Sequence, residues 1–86
     1  MAEVILTPEG AKKVKDEIKQ LKEKRTVIID RIAKAKELGD LKENADYHEA
    51  RDEQGFNEGR IQELEDTLRS AKIVDTKASG DQVSLG

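Results

Sequence analysis

Leu38-Gly39-Asp40-Leu41-Lys42-Glu43-Asn44 interrupts what would otherwise be one long helical pattern, and the residues on its two sides mirror each other. Upstream, apolar residues recur at Ala11, Val14, Ile18, Leu21, Ile28, Ile32 and Ala35. With Arg25 in the remaining place, the steps are 3, 4, 3, 4, 3, 4 and 3. Downstream, Tyr47, Ala50, Gln54, Asn57, Ile61, Leu64, Leu68 and Ala71 repeat those steps. Alternating threes and fours mark the a and d positions of a heptad seam. Ala35 with Tyr47, Ile32 with Ala50, Leu21 with Ile61, Ile18 with Leu64 and Ala11 with Ala71 are all centred on residue 41. A chain that folds back at Leu41 satisfies every layer at once, and a short connection favours antiparallel neighbours. Gly39 supplies the left-handed residue that closes a helix. The alternative, a dimer of long continuous helices, would carry a straight helix through Gly39 at a cost of about 1 kcal/mol. The predicted fold is all-α: a long antiparallel two-helix coiled-coil hairpin with an acidic tip at residues 39–44.

The flanks agree with that layout. Val4-Ile5-Leu6 is a short apolar lead, and Thr7-Pro8-Glu9 reads as a helix start, with Thr as N-cap, Pro first inside and an acid in the first turn. Two layers are polar, Ile28 opposite Gln54 and Arg25 opposite Asn57, and a polar seam residue fixes register at some cost in stability. Ile29 and Phe56 lie off the seam and are expected to cover one flank of these layers. Gly55 and Gly59, four residues apart, share a helix face; they permit a close approach there or are simply tolerated. Ala11 to Leu38 makes an arm roughly 40 Å long at about 1.5 Å per residue, a shape suited to reaching into a partner rather than enclosing a substrate. After Val74 the composition turns linker-like, and Gln82-Val83-Ser84-Leu85 begins to alternate like a strand. The expected organisation is a hairpin over residues 1–75, then a linker and the start of a further C-terminal domain over 76–86.

Bulk composition excludes several classes. The 86 residues are 41% charged and 2% aromatic, with no Cys and a formal net charge of −3. A chain of this length forms one domain with a small core. Mixed charges with regularly spaced aliphatics mark a long helix or coiled coil rather than disorder. The negative balance argues against a whole surface devoted to nucleic acid or anionic membrane. Without Cys there is no disulfide frame, Cys-based zinc site or thiol chemistry, and a reducing cytoplasm suits the chain. No apolar run reaches the roughly 20 residues of a membrane span, and no small-molecule pocket is expected.

The tip carries the candidate chemistry. Asp40 and Glu43 sit beside Lys42, Asn44 and Asp46. Asp-x-x-Glu at a helix start is a capping pattern, with Asp40 as N-cap and Glu43 returning to the backbone. The same two acids also suit a hard cation, since Mg²⁺ takes oxygen ligands and is often held by one or two carboxylates plus phosphate oxygens. Lent to another protein's incomplete site, they would help orient a water for phosphodiester attack; spacing leaves both readings open. Lys34, Lys36 and Arg51 lie within about two turns of the tip, either as solvated charges or as contacts to a phosphate backbone. The Lys-rich first half of the first helix is interleaved with acids and reads as a solvated face. His48, the one His, makes no zinc site, and no Ser-His-Asp set exists.

Gly39-Asp40-Leu41-Lys42-Glu43-Asn44-Ala45-Asp46-Tyr47-His48 resembles the N-terminal domain of the bacterial transcript cleavage factors, the Gre family. The likeness runs on through Arg51-Asp52-Glu53-Gln54-Gly55-Phe56-Asn57-Glu58-Gly59-Arg60-Ile61, and Leu6-Thr7-Pro8-Glu9-Gly10 and Ala71-Lys72-Ile73-Val74-Asp75 also match, so that it spans roughly residues 5–75. The resemblance implies a transcription elongation factor whose hairpin enters the secondary channel of RNA polymerase and stimulates the polymerase to cleave the extruded 3′ end of backtracked nascent RNA. It places Asp40 and Glu43 on the family's acidic tip, sharing a Mg²⁺ ion with the polymerase, and Lys36 and Arg51 on its RNA-contacting basic patch. Position 36 carries Lys where Arg is familiar, which keeps the charge but loses the bidentate fork. On this reading the chain is not itself an enzyme. A chain without the family's C-terminal domain is expected to act only at high concentration, because a second contact raises effective concentration.

Two other functions compete with cleavage stimulation. A channel-binding inhibitor would use the same rod, but inhibitory relatives carry altered or more acidic tips. A coiled-coil interaction module would have no metal role at all.

Overall fold

A computed structural model describes residues 4–74, in the order β1 (Ile5–Leu6), α1 (Pro8–Glu37), α2 (Ala45–Ser70) and β2 (Lys72–Ile73). The expected linker and strand start at 76–86 lie outside the described residues. The 30-residue α1 and the 26-residue α2 pack against each other along their lengths, which is the predicted hairpin. Thr7 caps α1: its backbone is extended and its hydroxyl accepts from the Gly10 amide at 3.0 Å, with Pro8 at the first helical position. Proline's missing amide costs nothing there, because that donor has no intrahelical partner in any sequence.

Every one of the sixteen seam residues is buried or half-buried. Ile28, Ile32 and Ala50 form the tightest cluster, with Tyr47 packed against it. Large residues meet small ones in this half: Ala50 is fully enclosed and Ala35 nearly so. These alanines let the helices approach closely near the turn. Burying each of the larger core side chains, Ile18, Ile28, Ile32, Ile61 and Leu64, contributes roughly 1.5–3 kcal/mol.

The Arg25 and Asn57 layer ties the two helices together, though not by pairing its two residues with each other. Asn57, 5% exposed, donates across the seam to the Leu21 carbonyl at 2.9 Å, while its Oδ1 has no partner. Arg25 bypasses Asn57 and grips Glu58 with two hydrogen bonds of 2.7 and 2.8 Å.

One expectation fails, and one pair of alternatives is decided. Ile29 and Phe56 do not cover the flank of these layers: Ile29 is 50% exposed and Phe56 81%. Of the two readings of Gly55 and Gly59, close approach is not seen within this chain: a Cβ built on each meets no atom within 4 Å among the described residues, as simple tolerance requires. The heptad seam is one stripe wide, and these four residues project away from it.

The base holds a feature too short to show a sequence period. β1 and β2 pair in parallel, with the Lys72 amide donating to the Val4 carbonyl at 2.8 Å and the Val74 amide to Leu6 at 2.7 Å. These bonds employ backbone groups that the extended ends of the helices would otherwise leave unmatched.

Candidate functional site

The turn between the helices is built around one side chain. Helix α1 ends at Glu37 with Leu38 as its C-cap, and Gly39 follows with φ +79°, the left-handed conformation that glycine adopts without steric cost. The Gly39 amide returns to the Lys36 carbonyl at 3.0 Å. The Ala35 carbonyl accepts from the Leu38 amide at 3.1 Å and also from the Asn44 side-chain amide at 2.8 Å. Asn44 is also the N-cap of α2: its Oδ1 accepts from the Tyr47 amide at 3.1 Å. One amide therefore seals the end of the first helix and the start of the second.

Asn44, not Asp40, takes the capping role, and this overturns the capping alternative for the acids. Asp40 has φ +43°, whereas an N-cap residue is extended. Its carbonyl accepts from the Glu43 amide at 3.1 Å, closing a turn over residues 40–43. His48 steadies that turn from α2, its Nε2 lying 2.9 Å from the Lys42 carbonyl oxygen.

Asp40 and Glu43 thus share one tight turn at the apex. Both are exposed, and neither carboxylate enters a hydrogen bond or ion pair among the described residues. Asp46, the third acid of the tip, is different: Arg31 holds it at 3.2 Å and also reaches Glu53 at 2.8 Å. The hydrogen bond to Asp46 raises the Arg31 pKa above its ordinary value.

An oxygen-only pair on an exposed turn suits a hard cation. No group of three or more His, Cys, Asp or Glu residues among the described residues is placed to hold a metal. The donor set fits a site completed from outside, where another molecule supplies the remaining ligands.

Lys36 and Arg51 come together as well. Both line a shallow interhelical groove of about 400 Å³, with Ile29, Ile32, Ala33 and Gln54. Arg51 is fixed by Tyr47, donating to its hydroxyl at 3.2 Å with the guanidinium 5.9 Å from the ring centroid. Of the arginines in the described residues, Arg25, Arg31, Arg60 and Arg69 are each paired with a carboxylate, and Arg51 is not. Lys36 has no ion pair either, whereas Lys34 is bound to Asp30 at 3.1 Å and drops out of the basic set. The charges that interleave along the sequence are sorted in space. The Arg25–Glu58, Arg31–Glu53 and Lys22–Glu65 pairs bridge the helices, and the groove of Lys36 and Arg51 keeps its cations unneutralised.

Sequence reasoning missed Asn44 as the keystone. Its signal was present, since Asn is among the strongest N-cap residues and stands directly before Ala45.

Together the fold and site define a class: a coiled-coil rod that presents two unpaired carboxylates at its apex and unpaired cations just below. The family model described as "Transcription elongation factor, N-terminal" matches residues 4–73. The chain is 51% identical over 83 residues to the transcription elongation factor GreA of Alkalilimnicola ehrlichii, covering 95% of this chain and 52% of the relative. It is 54% identical over 78 residues to GreA of Buchnera aphidicola, covering 88% of this chain and 49% of that one. With GreA of Rhodospirillum rubrum it shares 46% identity over 88 residues, covering 100% of this chain and 56% of the relative. The chain belongs to the Gre family of transcription elongation factors, and it spans about half the length of the curated relatives it matches. No helix among the described residues is long and apolar enough to cross a membrane.

Proposed function

We propose that this hairpin enters the secondary channel of RNA polymerase and brings Asp40 and Glu43 to the polymerase's catalytic centre, where they stimulate cleavage of backtracked nascent RNA. The observation that carries the reading is that these two apical carboxylates are left without partners among the described residues, while the neighbouring Asp46 is neutralised by Arg31. Mg²⁺, when bound between these acids and the polymerase, supplies the positive charge for attack of water on a phosphodiester. The chain's own part is positional. Asn44 and the 40–43 turn hold both acids on a short, doubly anchored loop, so little conformational freedom remains to be lost in the complex. Lys36 and Arg51, on the groove behind the tip, contact the phosphates of the extruded RNA. The chemistry belongs to the polymerase, and the factor completes its site.

The decisive experiment adds the chain to stalled, backtracked elongation complexes with Mg²⁺ and follows RNA length. Asp40→Asn and Glu43→Gln are the informative variants. Asn tolerates the left-handed backbone at position 40, whereas Ala would add strain of about 1–2 kcal/mol and confuse the result. Each is expected to abolish stimulated shortening with helicity and melting temperature nearly unchanged. Shortening that survives both substitutions would refute the metal-sharing role. Extension that stops without shortening would identify a channel-blocking inhibitor instead.

A further inference from the structure

We propose that Phe56 is a stacking platform for a base of single-stranded RNA threaded through the groove of Lys36 and Arg51, a claim that rests on the RNA contact assigned to those two cations above. Phe56 is the most exposed large apolar side chain of the described residues, at 81%. It is an unusual residue to leave in water on a surface so rich in charge. Its surroundings are partly cleared: Gly55 beside it and Gly59 one turn on carry no side chain, and a Cβ at either would meet nothing within 4 Å. Residues three and four apart share a helix face, so Gly59 leaves one side of the ring open, while Asp52, Glu53 and Arg60 are its other neighbours along α2.

The ring adjoins the cationic groove. Phe56 and Gly55 line a second shallow depression together with Arg51 and Asp52, and Arg51 lines both depressions. Asp52 is the one acid on either wall. The other cross-helix cations are spent on carboxylates: Arg25 on Glu58, Arg31 on Glu53, Lys22 on Glu65 and Arg60 on Glu17.

An open aromatic ring next to a cation that no carboxylate neutralises is the chemistry that holds single-stranded nucleic acid. The cations track the backbone, and the ring offers a π-face to any base regardless of sequence. An apolar protein partner would call for apolar side chains around the ring itself, and the depression it lines is otherwise Arg51, Asp52 and Gly55; Ile29, Ile32 and Ala33 line only the groove beyond Arg51. A duplex offers no free base face. The path therefore fits one strand, with its end at the acidic tip and a base farther back on Phe56.

The test uses Phe56→Trp, which introduces the only Trp of the chain. The variant is titrated with a short oligouridylate at low salt, where phosphate contacts are strongest. Its emission is expected to be quenched by the single strand and not by a duplex of the same length, and Arg51→Glu should remove the quench. Phe56→Leu should weaken binding of a labelled oligouridylate about five- to tenfold with helicity unchanged. No quench at RNA concentrations up to about 0.5 mM, beyond the weak end of non-specific binding, would overturn the proposal. Equal quenching by duplex would overturn it too, by reducing the effect to charge. So would unaltered RNA binding by Phe56→Asp combined with lost retention on RNA-free polymerase, since that marks a protein dock. The cleavage reading fails separately: if Asp40→Asn does not affect RNA shortening while the quench is intact, the stacking site stands and the metal role does not. If the quench is absent while wild-type shortening proceeds, only the stacking site falls.

Discussion

The side chain of Asn44 faces two helices, so its removal acts twice at the tip. Asn44→Ala deletes the acceptor for the Tyr47 amide and the donor to the Ala35 carbonyl together. Loss of an N-cap alone costs about 0.5–2 kcal/mol, and here the second donor to the Ala35 carbonyl goes as well, leaving only the Leu38 amide. Thermal unfolding followed by circular dichroism should show that loss, and stimulated cleavage should fall with it, although Asn44 lies outside the acid pair. Asn44→Asp keeps the acceptor but sets a carboxylate against the Ala35 carbonyl, so an intermediate loss is expected. If Asn44→Ala melted and acted like the parent, the tip's rigidity would owe nothing to this residue. Asp40 shows why the sequence was ambiguous here. Acid spacing fits a capping pattern whether or not the backbone is extended, and only a φ of +43° reveals that Asp40 lies inside the turn and not at the helix start. Once the cap passes to Asn44, the acids lose the structural reason that competed with a ligand role.

At the scale of the helices, the seam was legible because burial imposes a period, and the faces were not because ion pairing imposes none. Mirrored steps located Ile32 against Ala50 and placed the turn, all from spacing. Nothing in the spacing says that Arg25 will pass over Asn57 to reach Glu58, or that Phe56 will face water. Long charged side chains choose among several partners within reach, and an off-seam position can lean either way. The Arg25–Glu58 pair has a consequence that can be measured. Arg25's hydrogen bonds hold the Glu58 carboxyl below the usual glutamate range. A carboxylate depressed in the folded state stabilises the protein above its unfolded pKa, and that contribution disappears as pH falls through the folded value. Melting temperature should therefore decline as pH drops from about 5 to 3, around the ordinary glutamate pKa. Glu58→Gln should flatten part of that decline while lowering stability slightly at neutral pH. The effect is small, because both partners remain substantially exposed and solvent screens them. An acid limb identical to the parent's would show that the pair contributes nothing to folding.

Across the whole molecule, stability and function place opposite demands on the glycine strip. A glycine inside a helix costs about 1 kcal/mol relative to alanine, and α2 carries two of them where no neighbour requires the space. Packing alone would replace both. The RNA path gives them a reason, since any side chain there would stand beside the Phe56 ring and narrow the approach to Arg51. Gly59→Ala should raise stability by about 1 kcal/mol and leave RNA binding close to the parent's, because a methyl is small and uncharged. Gly59→Glu should be nearly as stabilising, since Glu is also a good helix former, yet it places a negative charge on the strip one turn from Phe56. Its melting temperature should therefore rise while oligouridylate binding and stimulated cleavage fall, with the loss largest at low salt, where phosphate contacts dominate. Two measurements on one variant moving in opposite directions would separate a surface kept open for RNA from a helix that merely tolerates glycine. If Gly59→Glu gained stability with RNA binding intact, the strip would lie off the RNA path, and the open face of α2 would be left without a functional reason.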